Sequence, residues 1–302
     1  MKTRARFFFI VTLLLLPPLL GEAATLRIDC DAGDTIEDAL TRVKPADTIV
    51  IGGTCNENVA IWQEVARVTL DGQGRATING GASNKVHTVI VRGKPIVIKG
   101  GTVTGGRDGI HLAGANAVIA DTIIRNAGLN GIFVDHHSFA RILDTRIEGN
   151  RGAGIVIDEN SVARVGFTIP RAEDLSPNTI QNNGLDGIVV QRSSTAWIAG
   201  NIVRGNKLNG IVVDRHSQAT IGGNVIDDNG GDAIVVSRLS GLTLGSMGAR
   251  RDGPNSTKRN NNGVGIRCFM GGYVDGSAGT LNGAKGERHF ENTCIDGLTA
   301  TK

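Results

Sequence analysis

A glycine–isoleucine pair recurs along the chain at nearly constant spacing, and this repetition constrains the fold more than any other feature. Successive pairs are 22, 23, 33, 23, 23 and 32 residues apart. The repeats begin at Gly109, Gly131, Gly154, Gly187, Gly210, Ala233 (where alanine replaces glycine) and Gly265. Periods of about 20 to 50 residues are typical of solenoids, in which each repeat buries its apolar face only against neighbouring repeats.

Each repeat holds three short segments in which apolar and polar residues alternate, separated by Gly, Asn, Asp and Ser. Such alternation predicts β-strands and the separators predict turns, with no room for a helix. A coil of three strands and about 23 residues, pairing in parallel with the next coil about 4.8 Å away, satisfies the pattern. Four residues before the pair stand asparagines that predict a hydrogen-bonded ladder at one turn. They are Asn150, Asn183, Asn206, Asn229 and Asn261.

Over about residues 100–270, this pattern resembles the parallel β-helices of the pectin-lyase-like superfamily. The resemblance implies an all-β, right-handed, single-stranded parallel β-helix. Superfamily members include polysaccharide lyases, hydrolases, uronan epimerases and periplasmic maturation factors for copper enzymes. Open coil ends need caps. We expect an N-terminal cap at about 24–60 with a short helix capped by Asp34, coils at about 61–270, and a C-terminal cap at about 271–302.

The first 23 residues have the features of a secretory signal peptide: a basic start, an apolar run and small residues before the cleavage point. The run, Phe7–Leu20, is short for a membrane span of about 20 residues, although an uncleaved anchor is the alternative. We therefore predict one periplasmic or secreted domain over residues 24–302, without a transmembrane segment. Cleavage lowers the net charge from +3 to about +1, which argues against nucleic acid as a partner.

Four cysteines in an exported chain predict two disulfide bonds. Two lie near the start and two near the end, so we expect Cys30 to pair with Cys55 and Cys268 with Cys294. Metal binding is the alternative, but the sequence has no Cys-x-x-Cys motif to favour it.

Two polar rows follow the first strand of the aligned repeats, with aspartates four residues after the glycine and histidines six residues after it. The segment VDHHS, Val134–Ser138, faintly resembles the Asp-Pro-His-Asp signature of alginate epimerases but lacks its proline and final aspartate. The candidate catalytic residues are Asp135, His137, Asp214 and His216. Asp135 and Asp158, about 5 Å apart in adjacent coils, are candidate ligands for calcium. The alternative is a solvated turn whose polar side chains bond local backbone groups.

Two repeats are longer by 10 and 9 residues, and the extra residues follow the same turn, after Gly166 and Gly245. The intervening coils would form a valley with two loop walls, and insertions on one face of a solenoid are typical of a binding face. Arginines bind carboxylates in a bidentate manner, and an outward tryptophan can stack on a sugar. The candidate substrate-binding residues are Arg171, Glu173, Asp174, Trp197, Arg250 and Arg251. Ordinary loop charges and a tryptophan packed under a loop are the alternative.

Two functions follow. The first is an exported protein that binds or processes an acidic polysaccharide, in the manner of a lyase or epimerase. The second is a non-catalytic periplasmic or surface scaffold that binds a protein partner along an outward row of valines, which sheet propensity alone also explains. The row comprises Val156, Val189, Val212 and Val235.

Overall fold

The repeats form the coils of a parallel β-solenoid, as the sequence period predicts. A computed structural model describes residues 23–82, 85–167, 175–245, 253–259 and 261–299. Every pairing between the named strands is parallel, and each coil begins with the strand that follows its Gly-Ile glycine. The predicted coil of three strands, stacked along one axis, is confirmed.

The first strands of the coils form a ten-stranded sheet in the part of the chain that the structure describes, here called sheet 1. Its strands are β4 (Val59–Ile61), β6 (Val89–Val91), β8 (Ile110–Ala113), β10 (Ile132–Asp135), β13 (Ile155–Ile157), β16 (Ile188–Val190), β19 (Ile211–Val213), β22 (Ile234–Val236), β24 (Ile266–Cys268) and β26 (Arg288–Phe290).

The second and third strands of the coils form a larger sheet, here called sheet 2, with seventeen strands among the described residues. The earlier ones are β1 (Thr25–Asp29), β2 (Thr48–Gly52), β3 (Thr54–Cys55), β5 (Val68–Asn79), β7 (Ile96–Thr104), β9 (Asn116–Arg125), β11 (Phe139–Leu143) and β12 (Arg146–Glu148). The later ones are β14 (Val162–Val165), β15 (Thr179–Gln181), β17 (Thr195–Ala199), β18 (Ile202–Arg204), β20 (Gln218–Gly222), β21 (Val225–Asp227), β23 (Gly241–Leu244), β25 (Tyr273–Ser277) and β27 (Ile295–Thr299).

The core is a set of aliphatic stacks along the axis, because equal positions of successive coils pair in register. The isoleucine of the Gly-Ile pair forms one such stack, and its members are fully buried. They include Ile132, Ile155, Ile188, Ile211 and Ile234. Since each coil covers only its neighbours, the apolar surface of one repeat has no partner outside the stack.

The glycine of the pair lies where one coil closely approaches the next, in every repeat from Gly109 to Gly265 except the one that carries Ala233. A Cβ at Gly187 would lie 2.6 Å from the carbonyl oxygen of Gly210 and 2.4 Å from Cγ1 of Val203. Gly131, Gly154 and Gly210 make the same approach to the next coil, at 2.6–2.7 Å from its carbonyl oxygen. The lack of space for a Cβ atom, rather than a left-handed backbone, therefore explains the glycine at this position.

Ladders of buried polar side chains form hydrogen bonds with one another and with the backbone groups of the turns. In the predicted asparagine ladder, Asn183 donates through Nδ2 to Oδ1 of Asn206 at 2.9 Å, and Asn206 donates to Asn229 at 3.0 Å. A second ladder, not predicted, joins Asn178, Asn201, Asn224 and Asn255. A third is built from serine hydroxyls that accept backbone N–H groups of the preceding coil. Its members are Ser138, Ser161, Ser194, Ser217 and Ser240.

A five-residue helix, α1 (Ile36–Leu40), follows a short 3-10 helix (Cys30–Ala32) at the N-terminal end and buries Ile36 and Leu40. The short capping helix is therefore present. Its N-cap is Thr35, whose Oγ1 accepts from the N–H of Asp38 at 3.1 Å, and the predicted cap, Asp34, instead accepts from the N–H of Asp29.

Both expected disulfides are present, Cys30–Cys55 and Cys268–Cys294. Parallel pairing continues at both ends beyond the predicted coil region, from β1 with β2 to β25 with β27.

No helix among the described residues is long and apolar enough to cross a membrane. The predicted signal peptide, at residues 1–23, falls almost entirely outside the described residues.

Candidate functional site

Outward positions of sheet 1 form one row along the axis, in which a histidine and an aromatic ring precede the valines. Ile90 pairs with His111, His111 with Phe133, and Phe133 with Val156. The imidazole of His111 stacks on the Phe133 ring, with centroids 5.0 Å apart and planes 25° apart. His111 is 8% exposed, so this ring lies under the surface rather than on it.

Further ionisable groups meet His111 and form a line of contacts, here called the histidine–aspartate line. Its order is Asp108, His87, His111, Asp135 and His136. His111 Nδ1 lies 3.2 Å from His87 Nε2, and His111 Nε2 lies 2.9 Å from Asp135 Oδ1. His87 Nδ1 lies 3.0 Å from Asp108 Oδ2, and His136 Nδ1 lies 2.8 Å from Asp135 Oδ1. The line runs from a fully buried carboxylate to an imidazole that is 65% exposed.

The turn after each sheet 1 strand sets the direction of His136. Two successive residues there have positive φ, 53° at His136 and 60° at His137, and similar pairs of angles recur in later coils. Left-handed backbone is unfavourable for residues other than glycine. The serine ladder stabilises it, since Ser138 Oγ donates to the Asp135 carbonyl and accepts from Ala115 N–H.

The first of the two left-handed positions carries a charged or ionisable side chain in five consecutive coils. These are His136, Glu159, Arg192, Arg215 and Arg238. His136 Nδ1 lies 3.5 Å from Glu159 Oε2, so the exposed imidazole stands between two carboxylates. The hydrogen bond to Asp135, with its negative charge, raises the pKa of His136 above its ordinary value. Although burial raises the pKa of Asp135, hydrogen bonds from His111 and His136 outweigh it and lower that pKa.

The predicted bases, His137 and His216, occupy the second left-handed position of their turns and are exposed. Within the described residues neither imidazole has a hydrogen bond or an ion pair. Asp135, the other predicted catalytic residue of that coil, contacts His136 rather than His137. The structure therefore brings Asp135 into a histidine cluster and leaves His137 and His216 outside it.

Asp158 and Asp214 are held by the following coil. Asp158 accepts from Arg192 and from Gln191 Nε2 at 3.0 Å. Asp214 accepts from Ser237 Oγ at 2.6 Å and from Arg238 Nη1 at 2.7 Å. Both carboxylates are buried and already paired, which is the arrangement that a buried charge requires.

Asp135, His136 and Glu159 bring ligand-type atoms within 4.8 Å of one another, the one such group without cysteine in the described part of the chain. Calcium prefers six to eight oxygen ligands. Here Asp135 accepts from two imidazoles and Asp158 from a guanidinium, so this pair does not form an oxygen cage. Calcium binding at Asp135 and Asp158 remains a prediction.

A basic and aromatic surface adjoins the same turn on sheet 2, here called the arginine–aromatic face. It comprises Phe139, Arg141, Arg164 and Trp197. The Arg164 guanidinium lies 6.0 Å from the Phe139 ring centroid and 5.8 Å from that of Trp197, to which Arg164 is paired in register. Arg141 lies 5.7 Å from the Phe139 ring, and its buried Nε–H has no hydrogen-bond acceptor among the described residues.

Trp197 faces outward and is half-buried, with the guanidinium of Arg164 in the preceding coil over its ring, and its role in substrate binding stays a prediction. The remaining predicted binding residues lie outside the described residues. They are Arg171, Glu173, Asp174, Arg250 and Arg251.

Comparison with known proteins agrees with the strand pairing. A family model described as the right-handed β-helix region matches residues 173–277. The chain is a right-handed parallel β-helix. No curated protein sequence matches it significantly.

Solved structures similar to this β-helix include pectate lyase Pel9A, with a TM-score of 0.58 and 11% identity over 92% of this chain and 78% of that chain. The A-module of the mannuronan C-5 epimerase AlgE4 of Azotobacter vinelandii has a TM-score of 0.54 and 14% identity over 91% and 85%. A double mutant of the periplasmic alginate epimerase AlgG has a TM-score of 0.55 and 14% identity over 90% and 82%. Identities this low show the fold, a parallel β-helix, and not the activity.

Sequence reasoning missed His87, Asp108, His111 and His136 as site residues of the β-helix. His87, His111 and Asp135 are 24 residues apart in succession, one more than the period of 23. Alignment on the Gly-Ile pair therefore puts them at different offsets. A search for ionisable residues at one period plus one would have found His87 and His111 beside Asp135, but not Asp108 or His136.

Proposed function

We propose that this β-helix is an exported protein that binds and processes an acidic polysaccharide, with His136 as its acid/base group. The observation that carries the proposal is the contact of 2.8 Å between His136 Nδ1 and Asp135 Oδ1. The same carboxylate oxygen lies 2.9 Å from Nε2 of the buried His111, which helps to fix its position. Asp135 accepts the Nδ1 proton of His136, which leaves Nε2 of the exposed ring to take a proton from a substrate. A histidine oriented by a carboxylate is the arrangement that general base catalysis requires.

The reaction class is proton abstraction next to a uronic carboxylate. The C–H bond breaks, its proton moves to Nε2 of His136, and its electron pair spreads onto the adjacent carboxylate. The intermediate then either expels the oxygen at the neighbouring carbon, which cleaves the chain, or regains a proton on the opposite face, which epimerises the sugar. Both outcomes need a cationic group to stabilise the charge that develops on the carboxylate.

The arginine–aromatic face supports an acidic substrate. Among strands β9 to β23, the two outward rows to which its residues belong carry no carboxylate. Guanidinium groups recognise carboxylates in bidentate geometry, and aromatic rings pack against sugar rings. The face begins at Phe139, three residues after His136. The similar folds named as a pectate lyase and alginate epimerases agree with this charge argument.

Two formed disulfides support export, because such bonds persist in oxidising compartments. Periplasm and cell exterior both satisfy this condition.

A decisive test uses proton NMR in deuterated water on the purified chain with alginate, pectate and a neutral glucan, each with and without calcium. We expect one uronan to give either the signals of a new unsaturated end group, which marks cleavage, or epimerised signals with deuterium at the carbon next to the carboxylate. His136→Gln should abolish them, while His137→Gln, at the adjacent position of the same turn, should not. Unchanged uronan spectra, or equal loss in the two variants, would contradict the proposal.

The alternative scaffold function rests on the valine row, in which Val189 and Val212 remain half-buried at the surface of sheet 1. Under that reading Val212→Glu would abolish capture of a protein partner from a periplasmic extract, and Trp197→Ala would not. Under the polysaccharide reading Trp197→Ala weakens retention on a uronan column, and Val212→Glu does not.

A further inference from the structure

An aromatic and a cationic side chain lie on the N-terminal side of His136, along the edge where the sheet 1 strands end. Strands β4, β6, β8 and β10 pair in register, and the next position on this edge carries Trp62, Arg92, Ala113 and Asp135 in four successive coils. Trp62 and Asp135 are therefore three coil spacings apart, about 14 Å. The edge leads from the N-terminal cap to the candidate acid/base group.

A recess separates these side chains from His136. Between equivalent core positions of the two sheets, segment 62–67 has six residues and segment 135–139 has five, whereas the two segments between them have four each. The second short segment begins with Ala113 and Gly114, and a Cβ added at Gly114 would meet only the carbonyl oxygen of His136, at 3.6 Å. The surface beside His136 therefore has room for a ligand between two longer segments.

Trp62 and Arg92 pair with each other at the N-terminal side of this recess. Both side chains are exposed, and the Arg92 guanidinium lies over the indole ring, 5.8 Å from its centroid. Among the described residues, Arg92 makes no ion pair and no side-chain hydrogen bond. Its charge is thus held in place by the ring and is available to an anionic ligand.

Trp62 also lines a cavity of about 450 Å³ between segment 62–67 and the residues around helix α1. Volumes of about 300–1,000 Å³, with apolar walls and a few polar groups, are typical of small-ligand sites. The walls here are mostly apolar and include three charged side chains, Glu37, Lys44 and Glu64. Carboxylates accept hydrogen bonds from sugar hydroxyls and an ammonium group donates them, so the cavity suits a sugar ring beside the indole.

We propose that Trp62 and Arg92 form a saccharide-binding subsite, and that an acidic polysaccharide lies along this edge from the cavity to His136. A sugar ring stacks on Trp62 at the cavity, Arg92 binds the carboxylate of a neighbouring sugar, and the reacting sugar occupies the recess at Ala113. This inference deepens the proposed function and rests on it for the acidic nature of the sugar chain. It adds a binding direction along the axis, on the N-terminal side of His136.

The test uses the fluorescence of Trp62, because the chain has only two tryptophans, Trp62 and Trp197. The full chain carrying Trp197→Phe is titrated with oligosaccharides of alginate, of pectate and of a neutral glucan. We expect one oligouronate to change the Trp62 emission saturably and the glucan to leave it unchanged. In the same background, Arg92→Gln should weaken oligouronate binding about tenfold, as expected for loss of a charge-assisted hydrogen bond.

The matched control is Lys94→Gln, which removes the same charge from an exposed position of the same segment and should weaken binding about twofold or less. Circular dichroism checks that both variants fold, which their exposed positions lead us to expect. Unchanged Trp62 emission with both oligouronates, equal binding of the glucan, or equal weakening by Arg92→Gln and Lys94→Gln would each overturn the inference.

The fluorescence reports binding and needs no turnover, so it separates the subsite from the proposed reaction. A saturable change in emission without new sugar signals in the NMR experiment would support the subsite and contradict catalysis by His136. New sugar signals without any change in Trp62 emission would contradict the subsite alone.

Discussion

The carboxylate of Asp135 lies 2.8 Å from Nδ1 of His136, the next residue in the chain, because the turn between them enters left-handed backbone. This contact couples a buried acid to an exposed base and raises the pKa of His136. Asp135→Asn should lower that pKa towards about 6.5, the value of an isolated histidine. Titration of the His136 ring proton by NMR measures it.

The control is Glu159→Gln, whose carboxylate lies 3.5 Å from the same nitrogen and contributes less, so it should lower the pKa by a smaller amount. A raised pKa stabilises the folded state below the unfolded pKa, and this contribution disappears as pH rises through the folded value. The stability advantage of the wild type over His136→Gln should therefore shrink between slightly acidic and alkaline pH. An advantage that grows with pH would contradict the assignment.

Much of the fold could be predicted from sequence because one period governs both packing and pairing. The Gly-Ile pair places its glycine where coils touch and its isoleucine in the core, so a spacing near 23 residues predicts the stack. The asparagine ladder follows from the same period. The cysteines, two at each end, lie in neighbouring coils and pair accordingly.

The site was harder to predict because it breaks the period. His87 and Asp108 precede their sheet 1 strands, whereas Asp135 ends one, so no single offset from the glycine collects them. The choice between His136 and His137 depends on two successive left-handed residues, of which His136 contacts the Asp135 carboxylate and His137 does not. Adjacent histidines in sequence carry no signal for which of them faces a carboxylate.

Gly187→Ala should destabilise the β-helix, because its Cβ would lie within 3.0 Å of atoms of Val203, Asn206 and Gly210. Overpacking of this kind costs about 1–3 kcal/mol. Gly253→Ala is the matched control, since a Cβ there meets nothing within 4 Å and its backbone is not left-handed. Chemical unfolding of both variants gives the comparison, and equal stabilities would rule out close coil contact as the reason for the glycine.

Asn206→Ala should also destabilise the fold, through loss of hydrogen bonds rather than through a clash. Its Oδ1 accepts from Asn183 Nδ2 and Asn183 N–H, and its Nδ2 donates to Asn229. Buried groups left without partners cost about 1–3 kcal/mol. Lys207→Ala, at the next and exposed position, should stay within about 0.5 kcal/mol of the wild type in the same unfolding experiment. A cost for Lys207→Ala as large as that for Asn206→Ala would refute the ladder as the source.

The Cys268–Cys294 disulfide should stabilise the C-terminal end of the stack in particular. Cys268 ends β24 in the core, and Cys294 immediately precedes β27, the last described strand. Beyond β27 no described coil covers the sheet, so β26 and β27 have neighbours on one side only. Replacing both cysteines with alanine should cost about 2–4 kcal/mol. Amide hydrogen exchange should accelerate most at Arg288–Phe290 and Ile295–Thr299, whereas the Cys30–Cys55 double alanine variant should leave exchange there unchanged. Uniform acceleration along the whole chain would instead mean that the coils unfold as a single unit and that this disulfide has no local role.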